Sequence, residues 1–210
     1  MERAVLAFVL AAVPAGLFAQ DSGAVATVPG VGAIRYAGAA VGFQIAFDVV
    51  EPADGAFDAA AVGDITFSLG RYGALCYKPS VGVWFTGSHM EMGNWYYMGQ
   101  WVTSRESKFT EVHVNLADIA YYFPVPERVV VRPYSGMGLS LTIDHFWYEF
   151  GEWPDRDTEV NAGFNVMAGA DFRFTPRLAA LCEIRGKVSH GWNVFKLAAG
   201  MKFAVGAQRP

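Results

Sequence analysis

The stretch Gly136-Met137-Gly138-Leu139-Ser140-Leu141-Thr142-Ile143-Asp144 decides the fold class of this chain. Its apolar residues occupy every second position, and the positions between them hold small or polar residues. Successive side chains of a β-strand point to opposite faces, so this alternation is the period of a strand with one apolar and one polar face. We therefore interpret the stretch as one strand of a sheet and expect similar strands on either side of it.

The same alternation recurs along the chain after about Ala33, for example from Asn161 to Phe174. Eight such stretches are present, with apolar rows that begin at Ala39, Ile65, Val81, Val112, Met137, Ala162, Leu178 and Leu197. Many of them exceed the five or six residues usual for strands of soluble proteins, and they suit a tilted membrane crossing. The pattern therefore predicts eight long strands.

The connections between these stretches alternate in character. Short turns are predicted at Lys78–Ser80, Pro124–Arg128 and Thr175–Arg177, and polar loops at Glu51–Gly63, Gln100–Lys108 and Gly151–Glu159. A fourth, shorter loop is expected at Ser189-His190-Gly191, and residues 88–98 predict a bulge or an extended hairpin. In bacterial outer-membrane barrels the short turns face the periplasm and the long loops face outward.

Composition narrows the class of protein further. The 210 residues suit one domain, and charged residues make up 17%, against about 25% in soluble domains. The net charge of −4 argues against nucleic acid as a partner. Apolar runs of about 20 residues, which helical membrane proteins need, do not occur after the N-terminus. Because only a closed barrel satisfies every strand hydrogen bond in lipid, we predict an all-β, eight-stranded antiparallel up-and-down transmembrane β-barrel.

The N-terminus predicts export. Met1-Glu2-Arg3 precedes an uncharged stretch from Ala4 to Ala19, which is too short to span a bilayer comfortably. We expect residues 1–19 to be a cleaved signal peptide and residues 20–210 to be the barrel domain. Cleavage after Ala15 is an alternative, and so is a buried first helix, although Pro14 would interrupt that helix.

The polar rows, if they face inward, carry charges of both signs into one narrow lumen. The predicted lumen network comprises Glu111, Arg132, Asp144, Asp171, Arg173, Glu183, Arg185, Lys187, Lys196 and Lys202. Eight strands enclose a space that side chains can fill, and desolvated charges there need partners. We expect ion pairs that plug the lumen, with a narrow polar pore as the alternative.

Aromatic residues concentrate near the predicted strand ends. Two belts at the membrane boundaries are expected to contain Trp95, Trp101, Trp147 and Trp192 at the loop end, and Tyr121, Tyr122, Phe172, Phe174 and Phe203 at the turn end. The alternative is that aromatic residues simply favour strands.

Catalytic and metal-binding patterns are weak in this sequence. The histidines are His89, His113, His145 and His190; Ser189 and Asp144 each adjoin one of them, and adjacent residues of a strand point to opposite faces. The sequence has no His-x-x-x-His spacing, and its two cysteines, Cys76 and Cys182, form neither a disulfide framework nor a zinc site. We therefore expect no enzyme activity, metal or cofactor.

The C-terminal half carries a family resemblance. The segments concerned are Pro133-Tyr134-Ser135-Gly136-Met137-Gly138-Leu139, Ala168 to Leu178, Glu183-Ile184-Arg185 and Leu197 to Phe203. They resemble the small outer-membrane β-barrel superfamily that includes the OmpA transmembrane domain, Opa-type proteins and OmpW. This resemblance implies outer-membrane lipid and the barrel-assembly machinery as partners. The His-x-Ser-Asn signature of barrel hydrolases such as the lipid A deacylases is missing.

Two functions remain open at this point. The first is a non-enzymatic surface barrel in the outer membrane, with a charged and largely plugged lumen, whose loops contact host or environmental ligands. The alternative is an OmpW-like porin or channel that takes up small hydrophobic molecules.

Overall fold

The computed structural model describes residues 24–28, 32–48, 57–85, 89–126, 128–150, 153–189 and 193–205. These residues form twelve strands of one antiparallel sheet, and the predicted all-β fold is confirmed. In chain order the strands are β1 (Ala24–Val28), β2 (Gly32–Asp48), β3 (Phe57–Ser68), β4 (Ala74–Tyr77), β5 (Ser80–Phe85), β6 (His89–Tyr97), β7 (Gln100–Asn115), β8 (Ile119–Tyr122), β9 (Val131–Phe150), β10 (Trp153–Thr175), β11 (Leu178–Ser189) and β12 (Asn193–Val205).

The sheet closes on itself as a ring of eight strand positions. The closing pair is β12 with β2, in which Val205 faces Ala39 and Lys196 faces Asp48. Two positions are each shared by two consecutive segments, β4 with β5 and β7 with β8. The remaining positions are β2, β3, β9, β10, β11 and β12, whereas β1 pairs with β2 outside the ring. Closure leaves no open edge in this ring, so the strands can pair their backbone groups without water.

The predicted loops at Gln100–Lys108 and Gly151–Glu159 are wrong. The first belongs to β7 and pairs with β6 in a hairpin that turns at Met98 and Gly99, both with positive φ. Most of the second belongs to β10, which pairs with β9 from the Trp153–Phe150 pair onward. These segments are polar because the hairpins continue beyond the apolar belt, where both faces of the sheet can meet water. The expected extended hairpin at residues 88–98 is present, and a register shift lies between Met92 and Trp95.

Two further connections also differ from the sequence prediction. The Glu51–Gly63 loop ends early because β3 already begins at Phe57, where exposed and buried residues alternate and Asp58 and Ala60 belong to the buried row. Lys78–Ser80 is not a reversing turn, because β4 and β5 continue in one direction along β3. The chain reverses instead at a short 3-10 turn, Gly70–Tyr72, whose following residue Gly73 has a φ of 93°.

A β-bulge interrupts the position shared by β7 and β8. Ser80 faces Asn115 and Tyr77 faces Ile119, so two residues of one strand oppose three of the other. The extra residue lies at Leu116–Asp118 and reverses which residues point inward. Glu111 is buried on the odd row before the bulge, whereas Tyr122 is buried on the even row after it.

The turns, which comprise residues 69–73, residues 123–126 with 128–130, and residues 176–177, lie at one end of the ring, and the long hairpins extend from the other. The predicted turns at Pro124–Arg128, apart from the undescribed Glu127, and at Thr175–Arg177 are confirmed. Of the predicted Ser189-His190-Gly191 loop, Ser189 ends β11 and the rest lies outside the described residues.

The outside of the ring is apolar and the inside is polar. Exposed large apolar side chains form the outer rows of several strands, among them Val41, Phe43, Ile45, Phe47, Leu139, Leu141, Ile184, Leu197 and Phe203. The inward rows carry buried charges instead. Among the described residues, no helix is long and apolar enough to cross a membrane.

Candidate functional site: the charged interior and its mouth

The interior near the short-turn end centres on Lys202 of β12. Its Nζ lies 2.6 Å from Asp64 Oδ2 of β3 and 2.6 Å from Asp171 Oδ2 of β10. Tyr122 of β8 donates a hydrogen bond of 2.8 Å to the same Asp171 oxygen. Four strands on different sides of the ring are therefore joined by one buried ammonium and its partners.

A second cluster lies at mid-height and centres on Glu183 of β11. Its carboxylate accepts hydrogen bonds from Tyr134 at 2.8 Å and from Arg185 Nε at 2.9 Å, and Lys78 Nζ lies 3.3 Å away. The Arg185 guanidinium also binds Asp118, the residue that the bulge turns inward. The negative charges of the two acids are thus offset by the positive charges of Arg185 and Lys78 in a buried space.

The third cluster lies toward the long hairpins. Lys187 donates to Glu111, and Lys196 Nζ lies 2.8 Å from Asp58 Oδ2. His113 stands between the two acids, with its Nε2 3.7 Å from Asp58 and its Nδ1 3.6 Å from Glu111. This arrangement bridges β3, β7, β11 and β12 with paired charge.

Very little free space remains at this level of the lumen. A void of about 20 Å³ lies among Glu111, His113, Arg185, Lys187 and Lys196. This is enough for about one water molecule.

The structure brings eight of the ten predicted lumen residues into the interior. They are Glu111, Asp144, Asp171, Glu183, Arg185, Lys187, Lys196 and Lys202, and all are buried. Asp144 accepts a hydrogen bond of 2.9 Å from Asn161 and has no ion pair with another described residue. Arg132 and Arg173 lie instead at the short-turn mouth, half-buried and exposed respectively, and take no part in the ion pairs of the described chain. They differ from the other eight because both stand near the end of the sheet, Arg132 level with Asp171 and Arg173 two residues beyond it.

Several interior residues were not predicted from the sequence. They are Asp58, Asp64, Lys78, His113, Asp118 and the two tyrosines Tyr122 and Tyr134. Asp58 and Asp64 lie an even number of positions apart, on the same buried row of β3, so the strand period could have revealed them. Asp118 could not have been assigned in this way, because its inward direction depends on the bulge.

The aromatic residues proposed as belts divide into three groups. Tyr121, Phe172, Phe174 and Phe203 point outward near the short-turn end, and Trp147 points outward near the opposite end of the ring. Trp95 and Trp101 lie on the β6–β7 hairpin, several residues beyond the ring, and Trp192 lies outside the described residues. The prediction that Tyr122 belongs to an aromatic belt is wrong. It is only 2% exposed and points inward, because the bulge reverses the row and adjacent residues of a strand face opposite ways.

The mouth at the short-turn end holds a large open cavity of about 980 Å³. Asp64, Asp171 and Lys202 line it, and so do Arg132 and Arg173. The lumen is therefore wide at this end and much narrower at the level of Glu111 and Lys196.

The histidines do not form a hydrolase site in the described part of the chain. His145 Nδ1 makes an exposed hydrogen bond of 2.8 Å with Thr158, and His113 contacts acids. His190 and the side chain of His89 lie outside what the structure describes. Among the described residues, no group of three or more His, Cys, Asp or Glu is placed to hold a metal ion.

Comparison with known proteins rests on three-dimensional structure. No family model and no curated protein matches the sequence. A major outer membrane protein from Thermus thermophilus matches with a TM-score of 0.52 and 12% identity, over 80% of this chain and 99% of that chain. The chain has the fold of a small outer-membrane β-barrel.

Two other solved barrels match less closely in shape. Ail of Yersinia pestis has a TM-score of 0.47 and 10% identity, over 80% of this chain and 97% of that chain. The N-terminal β-barrel domain of Pseudomonas aeruginosa OprF has a TM-score of 0.44 and 14% identity, over 81% and 99%. The match to the Thermus thermophilus protein confirms the predicted resemblance to small outer-membrane barrels as a resemblance of fold.

Proposed function

We propose that this chain is an integral outer-membrane barrel with a plugged lumen, which acts without catalysis through the hairpins that it holds above the membrane. The proposal rests on three layers of buried ion pairs. The first is centred on Lys202, the second on Glu183, and the third contains Lys187 and Lys196 with their acidic partners. Each layer joins strands on different sides of the ring. Moving any member would leave buried charge without a partner, which costs several kcal/mol.

The long hairpins offer the contact surface in this proposal. On the β6–β7 hairpin, Met92, Tyr96 and Trp101 are 78%, 65% and 71% exposed, and the rings of Tyr96 and Trp101 lie 5.3 Å apart. Aromatic side chains that bury large areas at low entropic cost often dominate binding energy at protein interfaces. A hairpin paired along its length can present such residues in a fixed arrangement.

Conductance across planar lipid bilayers tests the plug. The purified barrel should show no ion conductance, whereas a Lys187→Ala, Lys196→Ala double variant should open discrete conductance steps. Robust flux through the unmodified barrel that falls when Lys196 or Arg185 is altered would reject the plug. Such flux would favour the porin or channel alternative, with small hydrophobic solutes as its cargo.

Export and location need their own experiment. We infer that residues 1–19 are removed during export, that the barrel-assembly machinery inserts the chain and that lipid surrounds its apolar rows. N-terminal sequencing of the protein recovered from outer membranes should begin at Gln20. An intact N-terminus in that fraction would contradict cleavage, and recovery from the cytosol would contradict the location.

A further inference from the structure

The cavity at the short-turn mouth is unlike the rest of the lumen, because the charged side chains that the structure describes there do not balance. Five cationic side chains line it, namely Arg71, Arg132, Arg173, Arg177 and Lys202, together with two carboxylates. The carboxylates are Asp64 and Asp171, and both bind Lys202 at 2.6 Å. The four arginines are therefore left with no ion pair to a described residue.

Arg132 is held in a way that leaves its hydrogen-bond donors free. Its guanidinium carbon lies 4.9 Å from the centre of the Tyr122 ring. A cation–π contact is an attraction between the guanidinium charge and the aromatic ring, so it forms no hydrogen bond with an acceptor oxygen. Arg132 stands directly opposite Asp171 in the β9–β10 pairing, yet that acid bonds to Lys202 and Tyr122. The donors of Arg132 can thus face the cavity.

Arg173 lies beside Arg132 on the same face of the sheet. It follows Asp171 by two residues on β10, which makes it the diagonal neighbour of Arg132, within reach of one shared ligand. Its backbone N–H donates a hydrogen bond of 2.9 Å to Val130, so the strand is fixed at that point. Its side chain is exposed to the cavity.

The cavity wall is also fixed before any ligand arrives. Phe123 N–H donates to Pro133 O at 3.1 Å, and Val129 N–H donates to Pro126 O at 2.9 Å. These bonds close the turn that forms one side of the mouth, and prolines restrict it further. Little ordering entropy would be lost on binding there.

We propose that this mouth is a binding site for a phosphate group, which Arg132 and Arg173 hold between them. Planar guanidinium groups match phosphate oxygens in pairs of parallel hydrogen bonds. A phosphate monoester carries up to two negative charges and can offset both arginines, whereas one carboxylate can offset only one. The group could belong to a soluble phosphorylated compound or to the headgroup of a phospholipid, since the mouth lies next to the outward row of Phe172 and Phe174.

Calorimetric titration of the full barrel in uncharged detergent tests this site. The ligands are glycerol 2-phosphate, dihexanoyl phosphatidic acid, whose phosphate is also a monoester, and, as a neutral control, glycerol. We expect saturable binding of at least one phosphorylated ligand, weakened tenfold or more in an Arg132→Gln, Arg173→Gln double variant. The matched control is Arg156→Gln, because Arg156 stacks on Trp147 at 4.1 Å near the other end of the barrel. Heat-dependent gel migration establishes that each variant is folded.

The result also identifies the source of the phosphate. Binding of glycerol 2-phosphate indicates a soluble ligand, and binding of the short-chain lipid alone indicates a headgroup. The proposal is overturned if neither ligand binds, if the double variant binds as tightly as the unmodified barrel, or if Arg156→Gln weakens binding equally. Because folding is measured separately, failure of the site would leave the proposed plugged barrel untouched.

Discussion

Lys202 Nζ lies 2.6 Å from Asp64 Oδ2 across the interior of the ring, although 138 positions separate the two residues in the chain. The pair joins β12, the last strand, to β3, and a second bond of the same ammonium reaches Asp171 on β10. Contacts this distant in sequence form only when the ring has closed. The interior charges therefore contribute to the stability of the closed barrel.

Removing this ammonium should destabilise the barrel strongly. In Lys202→Met the carboxylates of Asp64 and Asp171 stay buried without their cation, which costs about 3–5 kcal/mol in the free energy of unfolding. Urea unfolding in lipid vesicles measures the change. The control is Lys108→Met, which removes an exposed ion pair of 3.2 Å with Glu106 and should cost less than about 1 kcal/mol. Equal costs for the two variants would contradict the role of Lys202.

A charge on the outer row of β9 should be tolerated only outside the membrane. Leu139 points outward in the middle of the apolar rows, so Leu139→Arg should lower the free energy of unfolding by about 2–4 kcal/mol in lipid. Met92→Arg, on the protruding hairpin, should change it by less than about 0.5 kcal/mol. The same vesicle assay applies. A similar loss in both variants would mean that the apolar rows do not mark the membrane-embedded zone.

Gly138 of β9 should be sensitive to the smallest side chain. A Cβ at this position would lie 2.5 Å from Asp118 Cα and 2.8 Å from the Ala117 carbonyl oxygen, both backbone atoms of the bulge. Gly138→Ala should therefore cost about 1–3 kcal/mol through overpacking. Gly63→Ala is the comparison, since its nearest neighbour would be Pro79 Cγ at 3.3 Å. If both variants unfold at the same urea concentration, the close approach of the bulge backbone to Gly138 is contradicted.

Orientation can be read from the labelling of single cysteines. The exposed Cys182 is first replaced by serine, and Cys76 is fully buried and should not react. In intact cells Thr103→Cys, on the β6–β7 hairpin, should react with a membrane-impermeant maleimide. Arg128→Cys, in the turn after β8, should react only after the outer membrane is opened. The reverse pattern would place the short turns at the cell surface.

The parts of the fold that sequence could predict are those in which the strand period and side-chain chemistry agree. In β9 and β12 the apolar residues face outward and the polar ones inward, so rows such as Met137 to Ile143 were assigned correctly. The extensions at Gln100–Lys108 and Gly151–Glu159 could not be predicted in this way, because a strand outside the apolar belt has no need of alternation. Composition alone predicts a loop at Gln100–Lys108, yet β6 and β9 pair along it.

The sequence also predicts part of the charged interior. Lys196, Lys202 and Glu183 follow from their rows, whereas their partners depend on which strands close the ring. Asp118 and Tyr122 needed knowledge of the bulge, since a one-residue shift exchanges the two faces of a strand. Arg132 and Arg173 belong to the inward-facing rows, as predicted, but they stand at the mouth. Alternation could not show this, because it does not indicate how deep in the barrel a residue lies.

The bulge at Leu116–Asp118 also limits how sequences of this architecture can change in length. Deleting Ala117 alone would move Ile119 and Tyr121 into the lumen and expose Ala120 and Tyr122 to the outside. Related chains that lack this residue are therefore expected to carry their inward aromatic one position earlier, and to have a bulkier residue than glycine at the position of Gly138. Insertions and deletions at this site should therefore occur together with substitutions on two strands. An alignment of homologous chains would show this as covariation between gaps at the bulge and side-chain size at the facing positions.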